Sequence, residues 1–350
     1  VIGRRSLLLA GAAIPTAAYG QCVINAPAVD ACLGGVRNAG PAGATLDLNF
    51  MFPGSMPPGL TFTRASTATY TDASGVIQTA AVNQPRWDYA SGSLRGLLIE
   101  EARTNLLLNS ATLSTQSVTV TAQAYTLSFY GTGTVTKSGA ATGALVGTGA
   151  GQRVTQTFTP TAGTLTCTVT GSVTNAQIEA GPFATSWIST AGATATRAID
   201  LCQTPVNVSW YSGAAFSFCT EFDGPPSPWS GAMVGFSDAS FGNSLYGGPD
   251  AGVNMGFSHI PSGGSSPQQV ISRTGVNKVV STFTTTRLSI SSNGAVAAGA
   301  AQTATAFTVP TRLVMGNDPW SMSTAFNGHI RRVTYWNRAL SDTEMQQVTT

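Results

Sequence analysis

Acids, bases and nucleophiles at workable spacings are scarce in this chain. Glu100 and Glu101 stand side by side in GLLIEEARTNLLLNS (residues 96–110), with Arg103 just beyond. Neighbouring side chains point to opposite faces of a strand, and on a helix they stand about 100° apart. The pair therefore cannot converge on one bond as acid and base, and the stretch reads as a connector. Leu97 and Ile99 supply one buried face, Leu98 the other, and Arg103 is placed to pair with a glutamate. Glu221 and Asp223 in CTEFDG are the acidic pair at strand spacing, i and i+2 on one face. A glycan-cleaving enzyme would need such carboxyls roughly 5 to 10 Å apart in a cleft.

Other routes to catalysis close in turn. His259 and His329 are the two histidines, and neither lies in HExxH or HxH spacing. His329 sits inside a strand-like run and reads as structural. No G-x-S-x-G elbow exposes a serine. GTGTVTKS (131–138) imitates a phosphate loop but has Thr136 where Gly must precede Lys137, so it reads as a Thr-rich strand. Five cysteines, Cys22, Cys32, Cys167, Cys202 and Cys219, show no CxxC and no nearby histidine, which removes the usual zinc spacings. Cys22 with Cys32 and Cys202 with Cys219 are candidate bridges in an oxidising compartment, with one thiol left over. The expectation is a non-enzymatic chain with no catalytic residue.

Binding chemistry remains. Sugar rings present apolar C–H faces that stack on aromatic side chains, and their hydroxyls need short polar partners. GPPSPWSG places Trp229 in a proline-stiffened loop, GNDPWSMS places Trp320 beside Asn317 and Asp318, and SFGNSLYGGPD adds Asn243, Tyr246 and Asp250. The candidate ligand-binding residues are therefore Trp229, Trp320, Asn317, Asp318, Asn243 and Tyr246.

The elements that must carry these residues are strands. The chain has 350 residues, 9% of them charged, with a net charge of +2, so it lacks the basic footprint of a nucleic-acid partner. With 39 glycines, frequent Thr and Ser, and no long charged helix, it reads as many short strands joined by turns. Residues 21–45 read as an Ala, Gly and Pro-rich linker, and 46–109 as a hairpin and connector segment. In that segment DASG forms the hairpin turn, Asp72 making an Asx turn and Gly75 a positive φ. Residues 110–199 alternate polar and apolar side chains, with Lys137, Arg153 and Glu179 the charged residues between Asn109 and Thr196, and predict a small antiparallel sandwich. A second sandwich follows over 200–350, where Asn293 and Gly294 predict a hairpin turn. GHIRRVTYW predicts a strand with a bulge between Ile330 and Val333. ALSDTEMQQV predicts a short helix with a capping box from Ser341 and Glu344 and a staple of Leu340 on Met345.

Three stretches carry a resemblance. FTRASTATYTDASGVIQTAAVNQPRWDY followed by GLLIEEARTNLLLNS resembles a segment common in tail-fibre and head-spike proteins of tailed phages, prophages and gene-transfer particles. AQIEAGPFATSWISTAGATATRAIDLC resembles the exit of the carbohydrate-binding-module-like sandwich that follows in those proteins, and FNGHIRRVTYWNRALSDTEMQQV the closing strand and helix of a laminin-G/concanavalin-like jelly roll. The resemblance implies an all-β fold of two antiparallel jelly-roll β-sandwiches in tandem, with an extended N-terminal segment and a short C-terminal helix. It also implies that Trp187 and Trp336, inside these motifs, are core. Its usual partners are a cell-surface polysaccharide or glycan and other virion proteins, with a homo-oligomer as an option. It allows calcium near the binding rim, for which Asp318 or Asp250 has the right oxygens. The expected location is a virion surface. Residues 1–20 carry the alternative: Arg4 and Arg5, an apolar run from Leu7 to Ile14, then Ala18 and Gly20, resemble a twin-arginine export signal, though Gly3 and Leu7 stand where that family has Ser or Thr and Phe. Such a signal leads to an exported or periplasmic lectin; otherwise the segment is a tether. The apolar run is far short of the ~20 residues that span a bilayer.

Overall fold

The computed structural model describes residues 41–206, 209–224, 232–240, 244–249, 254–259, 268–270, 275–301 and 309–350. The chain is nearly all strand, and among the described residues the helix is Asp342–Thr349 (α1).

Two facing sheets form the larger body. One runs in the order Ala298–Ala301, Arg287–Ser292, Val276–Thr284, Ala215–Asp223, Gly328–Trp336, Ser93–Ile99 and Trp87–Ala90, with Leu46–Asn49 also paired to Gly328–Trp336. The other runs Thr61–Thr63, Leu201–Pro205, Arg312–Met315, Val234–Ser237, Ser244–Pro249, Asn254–His259 and Gln268–Val270. Strand alternation sends Phe216, Phe218 and Phe222 inward to a core shared with Trp210, Phe236 and Tyr335. Ser217, Cys219, Glu221 and Asp223 then face outward. The predicted bulge is present: the ladder with Ala215–Asp223 slips between Glu221 and Phe222, leaving Arg331 as the extra residue. The two arginines at the slip each reach an acid, Arg331 to Glu221 at 2.7 Å and Arg332 to Asp47 at 2.6 Å.

α1 has the predicted capping box between Ser341 and Glu344. Leu340 and Met345 meet as the staple and cover Cys219, Val280 and Trp336 on the outer side of the first sheet. The turn residues behave as the sequence predicts: Asp72 Oδ1 accepts from Ser74 N and Val76 N, Gly75 has φ +79°, and Asn293 and Gly294 have φ of +48° and +76°.

The sequence predicts 46–109 as a separate hairpin and connector. Strand pairing instead draws it into the jelly roll: Leu46 lies opposite Tyr335, Phe62 opposite Cys202, and Leu98 opposite His329. Leu48, Phe50, Phe62, Leu97 and Ile99 complete the core. The smaller sandwich is thus inserted between Ile99 and Asp200. It is built from a four-stranded sheet and a three-stranded sheet around Leu127, Phe129, Val135, Leu165 and Ile178. The chain enters it through Arg103–Asn105 and leaves through Ala195–Arg197, two strands paired with Arg103 opposite Arg197.

The candidate bridge between Cys202 and Cys219 is absent: both are free and buried. Cys202 belongs to the core between the sheets, whereas Cys219 lies under α1 on the outer side. A sheet separates the two sulfurs. Cys22 and Cys32 lie outside the described residues.

Candidate functional site

Where the inserted sandwich leaves the jelly roll, a buried ionic hub holds the two together. Asp200 accepts from Arg64 Nη1 at 3.0 Å, from Arg86 Nη2, and from the backbone N–H of Glu100 at 2.9 Å. Glu100 accepts from Arg86 at 2.7 Å and Arg197 at 3.2 Å, and from Ser186 N and Oγ, each at 2.6 Å. Arg64, Arg86, Arg197 and Asp200 are no more than 1% exposed. Charges so buried persist only when each is paired and hydrogen-bonded. Glu101 points elsewhere and pairs with Arg103 at 2.6 Å, so the adjacent glutamates, in the short link between the strands Ser93–Ile99 and Arg103–Asn105, serve separate structural tasks.

The hub makes stability pH-dependent. Burial pushes the Glu100 carboxyl up, but Arg197, Arg86 and the two Ser186 bonds outweigh it and hold the group well below the usual carboxylate range. A depressed folded-state value gives stability that is fully present above the unfolded-state value, about 4.3, and is lost as pH falls through the folded value. Urea midpoints measured from pH 7 to pH 3 should hold steady to about pH 5 and then fall, with a shallower fall for Glu100→Gln, which begins lower.

Beside the hub lies a cleft of about 180 Å³. The jelly roll contributes Asp88, Arg95 and His329, the hairpin contributes Tyr70, and the inserted sandwich contributes Tyr130, Arg153 and Trp187. Position on the first sheet's outer face explains the jelly-roll members: His329 lies opposite Asp223 across one ladder and opposite Leu98 across the next. His329 Nε2 meets Asp88 Oδ2 at 3.0 Å, and Asp88 Oδ1 accepts from Thr71 N at 2.7 Å. Arg95 Nε donates to Asp223 at 2.7 Å. Three half-buried aromatic rings beside this many fixed donors and acceptors suit a polar, ring-shaped ligand.

Of the residues singled out from sequence, Asn317 and Asp318 turn inward, at 0% and 3% exposure. Asp318 staples its own loop, accepting from Ser321 N at 2.9 Å, Thr324 N at 2.7 Å, Thr324 Oγ1 at 2.8 Å and Ser321 Oγ. With both oxygens occupied in this way, it does not fit the calcium role. Asn317 Nδ2 donates to the Asp200 and Thr324 carbonyls. Trp320 and Tyr246 stay half-buried and meet edge to face at 5.2 Å. Trp229, Asn243 and Asp250 lie outside the described residues, so the structure brings together Trp320, Tyr246, Asn317 and Asp318 without making them a common polar surface. Trp336 is core at 1% exposure, whereas Trp187, expected there too, is half-buried and lines the cleft. Glu221 and Asp223 are each held by an arginine, Arg331 and Arg95. Burial would raise the Asp223 carboxyl, but the Arg95 hydrogen bond and charge bring it below its usual range. A general acid needs the reverse shift.

Sequence reasoning misses Asp88, Arg95, Arg153, Tyr70 and Tyr130, and reads His329 as structural. One signal exists for Arg153: it is one of three charged side chains between Asn109 and Thr196, and an isolated charge on a sandwich strand asks for a partner.

A family match covers part of the larger body. Residues 200–346, less than half of the chain, match the family model Laminin_G_3, described as the Concanavalin A-like lectin/glucanases superfamily. Among solved structures, the Ruminococcus gnavus IT-sialidase CBM40 is 13% identical and matches over 40% of this chain and 84% of its own, with a TM-score of 0.32. Domain 4 of AbnA, a GH43 extracellular arabinanase from Geobacillus stearothermophilus, in complex with arabinotriose, is 12% identical over 43% of this chain and 73% of its own, with a TM-score of 0.35. The heptameric SAP-like pentraxin from Limulus polyphemus is 13% identical over 40% and 73%, with a TM-score of 0.32. Overlaps of this size carry no weight for function. No curated protein matches the chain.

Proposed function

We propose that this protein is a non-enzymatic glycan-recognition protein that takes a sugar into the cleft between the jelly roll and the inserted sandwich. The observation that carries the proposal is the convergence of Tyr70, Tyr130 and Trp187 with Asp88, Arg95, Arg153 and His329 around one cavity. The lectin/glucanase superfamily match over 200–346 supports it. Resemblance of residues 46–110 to fibre and spike proteins supports a place on a phage-like particle, where repeated copies would multiply weak contacts. A second reading, an exported lectin, is favoured by Arg4 and Arg5; recovery of a processed chain starting near Gln21 would establish it.

The test is a glycan and bacterial-polysaccharide array probed with the full chain, with reducing-end release assayed in parallel. Binding without release is expected. Trp187→Ala should weaken it about tenfold or more with little change in melting temperature, since loss of an anchoring aromatic costs on the order of 2 kcal/mol. Trp320→Ala should leave it intact. The reverse pattern would move the site to the Trp320 loop, release would make the protein an enzyme, and silence from folded protein would leave a structural or decoration role.

A further inference from the structure

Strand parity alone would send Arg95 into the core. On Ser93–Ile99 it shares the parity of Leu97 and Ile99, both fully buried between the two sheets. The ladder with Trp87–Ala90 slips at this point: Asp88 lies opposite Gly96 and Tyr89 opposite Leu94, which leaves Arg95 as the extra residue of a bulge. Bulges re-aim a side chain. Gly96 makes this one possible, with φ +127° and the Ile330 carbonyl oxygen only 2.5 Å from where a Cβ would stand. Arg95 thereby joins the wall of the cleft, where its Nε is pinned to Asp223 at 2.7 Å and 32% of its side chain stays open.

The other charged groups of the cleft are committed to the protein. Arg153 donates from Nη1 to the Thr185 carbonyl at 2.6 Å and from Nη2 to Ser128 Oγ at 2.8 Å. Asp88 holds Thr71 N on one oxygen and His329 on the other, and Glu100 belongs to the hub. Arg95 differs from them. Among the described residues its Nη1 and Nη2 have no partner, and neither is a buried atom, in contrast to the enclosed guanidiniums of Arg64, Arg86 and Arg197. Two terminal nitrogens held in one plane form a fork that matches the two oxygens of a carboxylate, whereas a hydroxyl would use one prong. Tyr70, Tyr130 and Trp187 in the same wall suit the apolar face of a sugar ring. We infer that the cleft selects an acidic sugar, with Arg95 as the specificity-determining residue that takes the carboxylate on Nη1 and Nη2.

This assignment rests on the glycan reading and fails separately from it. The probes are the methyl glycosides of glucuronic and galacturonic acid, each beside its methyl ester and its neutral hexoside, with glucose 6-sulfate as the alternative anion. All are titrated into the full chain. At least one acid should bind about tenfold or more tightly than its own ester, the size of one charge-assisted hydrogen bond. Arg95→Met should bring acid and ester to within about twofold of each other by lowering the affinity of the acid alone. Arg95→Lys keeps a cation for Asp223 but loses the planar fork, so it should lose most of the preference as well, and it decides the matter if Arg95→Met does not fold. Esters or hexosides that bind the wild type as tightly as the acids, a preference for the sulfate, or a full preference for the acid retained by Arg95→Lys each overturn this assignment and leave glycan recognition standing. Absence of any sugar binding overturns both.

Discussion

Asp200→Asn should cost about 3–5 kcal/mol of unfolding free energy, the penalty typical of breaking a buried ion pair from one side. The substitution keeps the size of the side chain and removes the charge that faces Arg64 and Arg86, both of them fully enclosed. It leaves three buried guanidiniums, Arg64, Arg86 and Arg197, around the single carboxylate of Glu100 with Glu179 beyond. Equilibrium urea unfolding read by tryptophan fluorescence measures the loss. Because the hub joins Arg64 and Arg86 before the insertion, Glu100 at its entry, Ser186 within it and Arg197 at its exit, the weakened variant should also unfold in two separable steps rather than one. A loss below about 1 kcal/mol would mean that the hub contributes little beyond cancelling its own desolvation, as exposed pairs do.

The second large effect concerns where the chain can be cut. A fragment beginning at residue 108, the natural boundary if the two domains were in tandem, should not fold, while residues 41–350 should. Cutting there removes Leu46–Asn49, Thr61–Thr63, Trp87–Ala90 and Ser93–Ile99 from both sheets of the jelly roll. With them go Leu48, Phe50, Phe62, Leu97 and Ile99, each at most 8% exposed. At about 1.5–3 kcal/mol for each large buried side chain, the five account for roughly 7–15 kcal/mol, the whole stability of an ordinary domain. The cut also opens one side of the Gly328–Trp336 strand and strips Arg64, Arg86 and Glu100 from Asp200. Circular dichroism and proteolysis of the two fragments decide the matter: a cooperative melt from residues 108–350 would contradict the pairing of the N-terminal strands.

Features set by a few neighbouring residues are legible in the sequence. The Asx turn at Asp72, the Asn293–Gly294 turn, the capping box of α1 and the bulge after Ile330 each depend on residues within about five positions of one another, where backbone sterics and one or two hydrogen bonds decide the conformation. The all-β class follows from composition and alternation, because burying one face of a strand demands a period of two. Glu100 reads as architecture for the same local reason, since its neighbour Glu101 must point away. The Glu101–Arg103 pair lies two positions apart and is within reach of the sequence; the bonds from Glu100 and Asp200 to Arg64, Arg86 and Arg197 are not.

The binding cleft is a different matter. Trp320, Asn317 and Asp318 resemble a ligand rim because aromatic and amide side chains in a Gly and Pro loop suit sugars; yet Asp318 is consumed by four donors of its own loop, a choice that depends on how the loop closes. Asp88, Arg153 and His329 carry no local mark of a shared site. They meet because Leu46 pairs with Tyr335 and Leu98 with His329, contacts that span most of the chain, and because a whole sandwich is inserted between Ile99 and Asp200. Non-local pairing of this kind is fixed by the burial of a shared core rather than by any short motif. The alternation of apolar residues thus specifies strands, and local side-chain chemistry the turns and the terminal helix, while the meeting of three separate elements at one cavity emerges only when those strands find their partners.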